Sequence, residues 1–204
     1  TGNPVRAAIE QVAKARIEED EHPLRLLILG GSLGARFLND TVPEALKLLG
    51  EDLPFDVWHQ TGKNDFERTK ELYKGNAHVR VDVFIDDMAK AYGWADLVIC
   101  RAGALTIAEL AIVGLPSILV PFPYAVDDHQ SYNAQYLANA NAAILLSQSS
   151  LDAAQLSQVL RTLSQDKHKL KEMSQQGLSK AFINASDRVA KHCIEVIHGP
   201  SSVQ

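Results

Sequence analysis

Residues 100–110, Cys100-Arg101-Ala102-Gly103-Ala104-Leu105-Thr106-Ile107-Ala108-Glu109-Leu110, join an apolar run to a helical apolar pattern through small residues. Such a segment reads as strand, tight loop and helix start. The first turn of a helix leaves backbone N–H groups unpaired at the positive end of its dipole, an arrangement that suits a phosphate. Glu109 falls about one helical turn further on, roughly 5 Å along the axis. A carboxylate repels phosphate, but it accepts two hydrogen bonds from a vicinal diol such as that of a ribose. Diphosphate at the turn and ribose at the acid together point to a nucleotide-sugar site.

Three further segments carry polar or flexible residues just past apolar runs. Gly30-Gly31-Ser32-Leu33-Gly34-Ala35-Arg36 combines glycines that permit close backbone approach with a hydroxyl at Ser32 that can donate to phosphate. The other reading of this segment is a tight strand–helix turn without a ligand. Its spacing is not G-x-G-x-x-G, so it is no dinucleotide fingerprint. In Phe84-Ile85-Asp86-Asp87-Met88 a planar base can lie against Ile85 while its edge pairs with backbone N–H and C=O. One of Asp86 and Asp87 is expected to cap the next helix, and Met88 reads first as core filling.

Pro121 to Gln130 contains Asp127 or Asp128 as a helix cap, His129 as a solvated residue or an acid–base group, and Gln130, whose amide suits sugar hydroxyls. His59 is a weaker candidate of the same kind. Arg6 stands alone in Thr1-Gly2-Asn3-Pro4-Val5-Arg6, a connector-like stretch, and reads by itself as a surface arginine. Trp58 and Trp94 read as core or rim aromatics.

The elements that must position these residues alternate. Strands are expected at Leu24–Leu29, Phe55–His59, Val79–Phe84, Leu97–Cys100, Ser117–Val120 and Ala143–Leu145. Helices are expected over Ala7–Asp20, up to Leu49, and near Asp65–Lys74, Asp87–Trp94, Thr106–Val113 and Gln130–Ala140. Continuous Leu/Ile/Val strands imply burial on both faces. The fold class is therefore α/β, a doubly wound, mostly parallel sheet flanked by helices. In such sheets ligands bind beyond the carboxyl ends of the strands, where nearly all the chemically suggestive residues fall. From Leu151 onward the chain reads as polar helix with Leu156, Val159, Leu160 and Leu163 on one face. We divide it into a connector and first helix (1–22), a nucleotide-sugar-binding domain (23–197) and a loose tail (198–204).

Composition narrows the partners. Over 204 residues the net charge is −5 with no basic cluster, which argues against nucleic acid. Cys100 and Cys193 have no metal or redox spacing, and Cys100 reads as a buried free thiol. No apolar run approaches the roughly 18 residues of a membrane span, and a reducing cytoplasmic setting fits.

Taken in order, these segments resemble the carboxyl-terminal half of the MurG-type glycosyltransferases of bacterial peptidoglycan synthesis. The matching pieces are Thr1–Arg6, Gly30–Arg36, Phe84–Met88, Arg101–Thr106 with Glu109, and Asp128-His129-Gln130 with Asn133-Ala134. The resemblance implies the Rossmann-like C-terminal half of a GT-B enzyme that transfers N-acetylglucosamine from UDP-N-acetylglucosamine to undecaprenyl-diphosphate-linked muramyl pentapeptide. It implies a peripheral position on the cytoplasmic side of the inner membrane.

Carried over by motif, Arg6 and Ser32 contact the donor and Ile85 pairs with uracil through its backbone. Met88 lines the base pocket, and Ala104, Leu105 and Thr106 offer N–H groups to the diphosphate. Ile107 and Ala108 complete that segment, Glu109 holds the ribose diol and Gln130 the hexose hydroxyls. The family's amino-terminal acceptor domain is absent from these residues. The acceptor-activating base is expected to come from it, and the fragment alone is expected to transfer little or nothing. No cofactor or metal is required on this reading, and no Asp-x-Asp pair stands in a suitable loop. Two rival readings are a donor-binding subunit that works with a separate acceptor-binding chain, and an NAD-binding oxidoreductase domain. The second needs an acid at the end of the second strand, where His59-Gln60-Thr61-Gly62 has none.

Overall fold

The computed structural model describes residues 2–12, 22–31, 35–50, 55–125, 128–182 and 184–198. Among them six strands, β1 (Leu24–Leu29), β2 (Phe55–Gln60), β3 (Val79–Asp82), β4 (Leu97–Cys100), β5 (Ser117–Leu119) and β6 (Ala143–Leu145), form one sheet. The order is β3-β2-β1-β4-β5-β6, and every pairing is parallel. The inner strands β1, β4 and β5 are buried along most or all of their length because both faces are covered, whereas the edge strand β3 has no buried residue. Leu26 and Ile28 of β1 and Leu97 and Ile99 of β4 join one core, while Leu27, Leu29, Val98 and Cys100 join the other. The central strands β1 and β4 thus serve two cores through their period of two.

Helix α1 (Ala7–Val12) precedes β1, and the helices between strands are α2 (Arg36–Leu49), α3 (Phe66–Leu72), α4 (Met88–Trp94), α5 (Ala104–Val113) and α6 (His129–Ala138). After β6 come α7 (Ala153–Gln165), α8 (Lys167–Ser179) and α9 (Ala185–His198). Helices α2 and α7 lie together on one face of the sheet; α1, α4, α5 and α6 cover the other. Leu156, Leu160 and Leu163 of α7 are buried as their spacing predicts, with Val159 at the margin. Val5 and Ile9 are buried in the core beside α4 and α5, so the first helix is built into that face. No helix among the described residues is long and apolar enough to cross a membrane.

Several element ends differ from the sequence reading. β3 stops at Asp82, and Val83 and Phe84 are exposed. β3 is an edge strand whose single neighbour β2 ends at Gln60, opposite Asp82; past Asp82 one further bond, Gly62 N to Val83 O at 3.1 Å, is made before the left-handed Gly62 (φ +77°) ends the pairing. Helix α5 begins at Ala104 rather than Thr106, with Gly103 as its N-cap. The expected helix beyond Val12, the segment Ser32–Gly34, Asp127 and the tail from 199 lie outside the described residues.

Register matters most for function. Leu29 stands opposite both Gln60 and Cys100, and Gln60 opposite Asp82. The carboxyl ends of four neighbouring strands are therefore level, and the loops leaving them meet on one rim. Between β1 and β4 the strand order reverses, opening the crevice in which doubly wound sheets hold ligands.

Candidate functional site

The turn after β4 carries the helix terminus that the sequence predicts. Gly103 sits at the N-cap of α5 with φ −64° and ψ 145°, and no side chain caps the helix. The N–H groups of Ala104, Leu105 and Thr106 consequently have no partner among the described residues, and they stand at the positive end of α5. A Cβ on Gly103 would meet only Thr106 Oγ1, at 3.6 Å. The fold therefore does not require glycine there, and its missing side chain leaves the terminus open to a ligand. Asn3 Nδ2 donates to Ala104 O at 3.3 Å, tying the chain's first residues to this turn.

One turn along α5, Glu109 receives two donors. Arg6 Nη2 reaches Oε1 at 3.3 Å, and the Tyr92 hydroxyl donates to Oε2 at 2.9 Å. The Arg6 side chain is 62% exposed and that of Glu109 15%. Exposed ion pairs of this kind hold a side chain weakly, so Arg6 is free to turn toward a ligand. Tyr92 is different. It is buried on α4, and burial together with the nearby Glu109 charge raises its pKa far above the ordinary range, which keeps the hydroxyl a donor. Each carboxylate oxygen has a second lone pair, so the pair can still accept from a diol.

The turn after β1 lies across the crevice. A Cβ on Gly30 would fall 3.0 Å from Ala35 N and 3.1 Å from Gln60 O, both backbone atoms, so any other residue needs the backbone to give way. Gly31 has φ +74°, a left-handed conformation that costs glycine little. Ser32, the predicted phosphate donor, lies outside the described residues. In the loop after β3 the Ile85 side chain is buried in the core, while its N–H and C=O make no hydrogen bond among the described residues. That leaves both edges of the Ile85 peptide open. Met88, the first residue of α4, is half-buried against the same core, in agreement with its core reading. Asp87 caps α4, accepting from Lys90 N at 2.9 Å.

The loops after β4 and β5 are held together by side chains. Arg101 donates to Val120 O at 2.9 Å, to Pro121 O at 3.1 Å and to Gln148 Oε1 at 2.6 Å, and it stacks on Phe122. Gln130 Oε1 accepts from Phe122 N at 3.0 Å and Ala102 N at 3.3 Å. Its Nε2 amide has no partner among the described residues and keeps two donors for a ligand. Asn133 Nδ2 donates to Ala102 O at 3.1 Å, so α6 clamps both sides of the Ala102 peptide unit. Asp128 does not cap α6 through its side chain. Its backbone is left-handed, φ +52°, and its carboxylate accepts from Ser131 Oγ at 2.6 Å.

With this geometry in view, similarity to known proteins is specific. The glycosyltransferase family 28 C-terminal domain matches residues 25–189. The chain belongs to that family. A Methylococcus capsulatus protein named UDP-N-acetylglucosamine–N-acetylmuramyl-(pentapeptide) pyrophosphoryl-undecaprenol N-acetylglucosamine transferase is 50% identical over 200 residues, covering 96% of this chain and 54% of its own length. The crystal structure of Acinetobacter baumannii MurG superposes with a TM-score of 0.81 at 40% identity, over 92% of this chain and 53% of that one. The C-terminal CMP-Kdo binding domain of WaaA, also from A. baumannii, shares the fold alone, with a TM-score of 0.60 at 14% identity over 85% of this chain and 97% of that one. The chain spans about half the length of the curated relatives it matches.

Within this family 28 domain, α5 carries predicted residues on two sides. Ala104, Leu105, Thr106 and Glu109 lie at the terminus and along the side that Tyr92 and Arg6 approach. Ile107 is buried, and with Ala104 and Ala108 it lines a cavity of about 310 Å³ reaching Tyr136 and Phe182. Sequence reasoning did not find Tyr92, Gln60 or Arg101 as supports of the site. Nothing in their spacing marks them, because each acts on a residue brought near only by folding.

His59 is no acid–base group in this family 28 domain. It is fully buried, with Nε2 facing Asn39 Oδ1 at 3.0 Å and Nδ1 at the Tyr73 hydroxyl, 2.9 Å away. Asn39 Nδ2 donates to Thr61 O and to Asp65 Oδ2, so its Oδ1 acts as acceptor and His59 Nε2 carries the proton. Burial lowers the His59 pKa to about 3, which keeps the ring neutral. Cys100 is likewise a buried thiol, its pKa pushed up to about 12 by burial.

Proposed function

We propose that this chain is the donor half of an inverting glycosyltransferase. It holds UDP-N-acetylglucosamine and presents the anomeric carbon to the hydroxyl of an undecaprenyl-diphosphate-linked muramyl pentapeptide. An amino-terminal domain, on the cytoplasmic face of the inner membrane, carries that acceptor. Uracil pairs with the Ile85 peptide and rests on Met88, the ribose diol binds Glu109, and the hexose hydroxyls take the Gln130 amide. Arg6 and Ser32 contact the donor, Ser32 at the diphosphate, and Ile107 and Ala108 shape the first turns of α5.

One observation supports this reading above the others. The level ends of β1 and β4 set the open N-terminus of α5 beside the Gly30–Gly31 turn, with Glu109 one helical turn deeper. Attack on the anomeric carbon forms the new C–O bond as the bond to the β-phosphate breaks. The acceptor proton passes to a base from the amino-terminal domain, and UDP leaves with the electron pair. The charge growing on the diphosphate meets the Ala104–Thr106 N–H groups, which need no rearrangement to receive it.

A two-chain enzyme, with the acceptor site on a separate subunit, uses these residues in the same way. An NAD-binding reading has less support, since β2 ends at Gln60 and its amide is hydrogen-bonded to Gly31 and Val83. Calorimetric titration with UDP-N-acetylglucosamine, UDP-glucose and NAD tests the proposal. We expect binding of the first, weaker binding of the second and none of the third. Binding of NAD alone overturns it.

A further inference from the structure

Gln60 is the last residue of β2 and is 4% exposed, yet its carboxamide reaches two loops that leave other strands. Its Oε1 accepts from Gly31 N at 3.0 Å, and its Nε2 donates to Gly31 O at 2.7 Å. The second Nε2 proton goes to Val83 O at 3.2 Å, two residues before Ile85. Gln60 also acts through its main chain, since Gly30 N donates to Gln60 O at 3.0 Å. One side chain therefore grips both polar groups of the left-handed Gly31 peptide and fastens them to the loop that carries Ile85.

We propose that Gln60 is a positioning residue for the sugar-nucleotide donor, setting the phosphate turn after β1 at a fixed place relative to the base loop after β3. This inference rests on the donor-binding reading above. The physical reason lies in the strand order. β2 separates β1 from β3, so the two loops have no shared ladder. The backbone bonds at this rim run from Gly30 to Gln60 and from Thr61 and Gly62 to Asp82 and Val83, each linking β2 to one neighbour only. Among the described residues only the Gln60 amide touches both loops at once, and no other side-chain type offers two donors and an acceptor in one neutral planar group of that reach. The base and the diphosphate of one ligand bind together only when their two loops keep a fixed separation, which is the preorganisation such a clamp supplies.

The test compares Gln60→Met, of similar length but without the amide, with Gln60→Glu, which keeps the acceptor and loses both donors. Melting curves first establish that each variant is folded at the titration temperature. UDP-N-acetylglucosamine and UDP are then titrated by calorimetry, and uridine by NMR line shifts. We expect both variants to lose about tenfold in affinity for the two diphosphates, the effect of roughly one lost buried hydrogen bond with its partner left unpaired. Uridine, which meets only the base loop and Glu109, should change by less than about twofold. Equal losses for uridine and UDP mean a general structural role and overturn the proposal, as does unchanged UDP affinity. Failure of the unmutated chain to bind UDP-N-acetylglucosamine instead removes the donor-binding reading, and the proposal with it.

Discussion

Tyr92 holds the carboxylate of Glu109 from beneath, its hydroxyl 2.9 Å from Oε2 and the residue only 1% exposed. The contact links α4, whose first turn follows the Ile85 loop, to α5, whose first turn lies beside the Gly30–Gly31 turn. A ribose reaching Glu109 therefore meets a carboxylate already fixed by a buried donor.

Removal of that donor should separate positioning from direct contact. Tyr92→Phe keeps the ring and its burial but leaves Glu109 Oε2 without its partner. We expect UDP-N-acetylglucosamine affinity to fall about three- to tenfold, and stability by about 1 kcal/mol. Glu109→Ala removes both diol acceptors and should cost more, on the order of 10- to 100-fold, since hydrogen bonds to a charged group are the stronger kind. Calorimetry of the two variants checks the order of the losses. Unchanged binding in Glu109→Ala would defeat the ribose assignment.

Two glycines at the rim should respond differently to the same substitution. Gly30→Ala drives a methyl group against the backbone at Ala35 and Gln60, so its cost falls on the fold, about 1–3 kcal/mol in chemical denaturation. Gly103→Ala meets only Thr106 Oγ1 at an ordinary contact distance, so stability should change by less than about 1 kcal/mol. Its methyl group does occupy the approach to the open terminus of α5. A drop in UDP affinity with little change in melting temperature is the expected result for Gly103→Ala. A melting temperature that falls as far as in Gly30→Ala would contradict it.

Stability should depend on pH through His59. Its pKa is lowered from 6.5 to about 3 in the folded protein. The unfolded chain thus takes up a proton near pH 6.5 while the folded one does not. The contribution to stability is complete above that pH and is lost progressively as pH falls toward 3, by up to about 1.4 kcal/mol per unit. Asp65, held below its ordinary 3.8 by hydrogen bonds from Arg68 and Asn39 that outweigh its burial, acts only at lower pH. Denaturation midpoints between pH 7.5 and 5 should therefore slope downward in the unmutated chain and run flatter in His59→Gln. Parallel slopes would show that His59 is not the group responsible.

Much of this architecture could be read from the chain itself. Apolar runs without alternation announced a parallel sheet covered on both faces, because a strand buried twice has no polar side to display. The small residues around Gly103 announced an uncapped helix start, because the first-turn N–H groups of any helix lack partners of their own. The end of β3 was misplaced for a reason of the same kind. Val83 and Phe84 have the composition of strand residues, but a strand needs a neighbour that stays extended, and the chain after β2 turns away at the left-handed Gly62 after one last bond to Val83 O.

What the linear order cannot hold is which loop lies beside which. Gln60, Tyr92 and Arg101 each support a residue between 17 and 47 positions away, and nothing local marks them. Strand register decided those contacts by levelling Leu29, Gln60, Asp82 and Cys100 on one rim. It also decided that His59, a plausible catalyst by its chemistry, lies beneath that rim as a neutral core residue. The sequence by itself determined the kinds of group available and the elements that carry them. The tertiary structure decided which groups face the crevice and which hold the others still, because exposure and hydrogen-bond partnership arise only once the sheet has closed around its two cores.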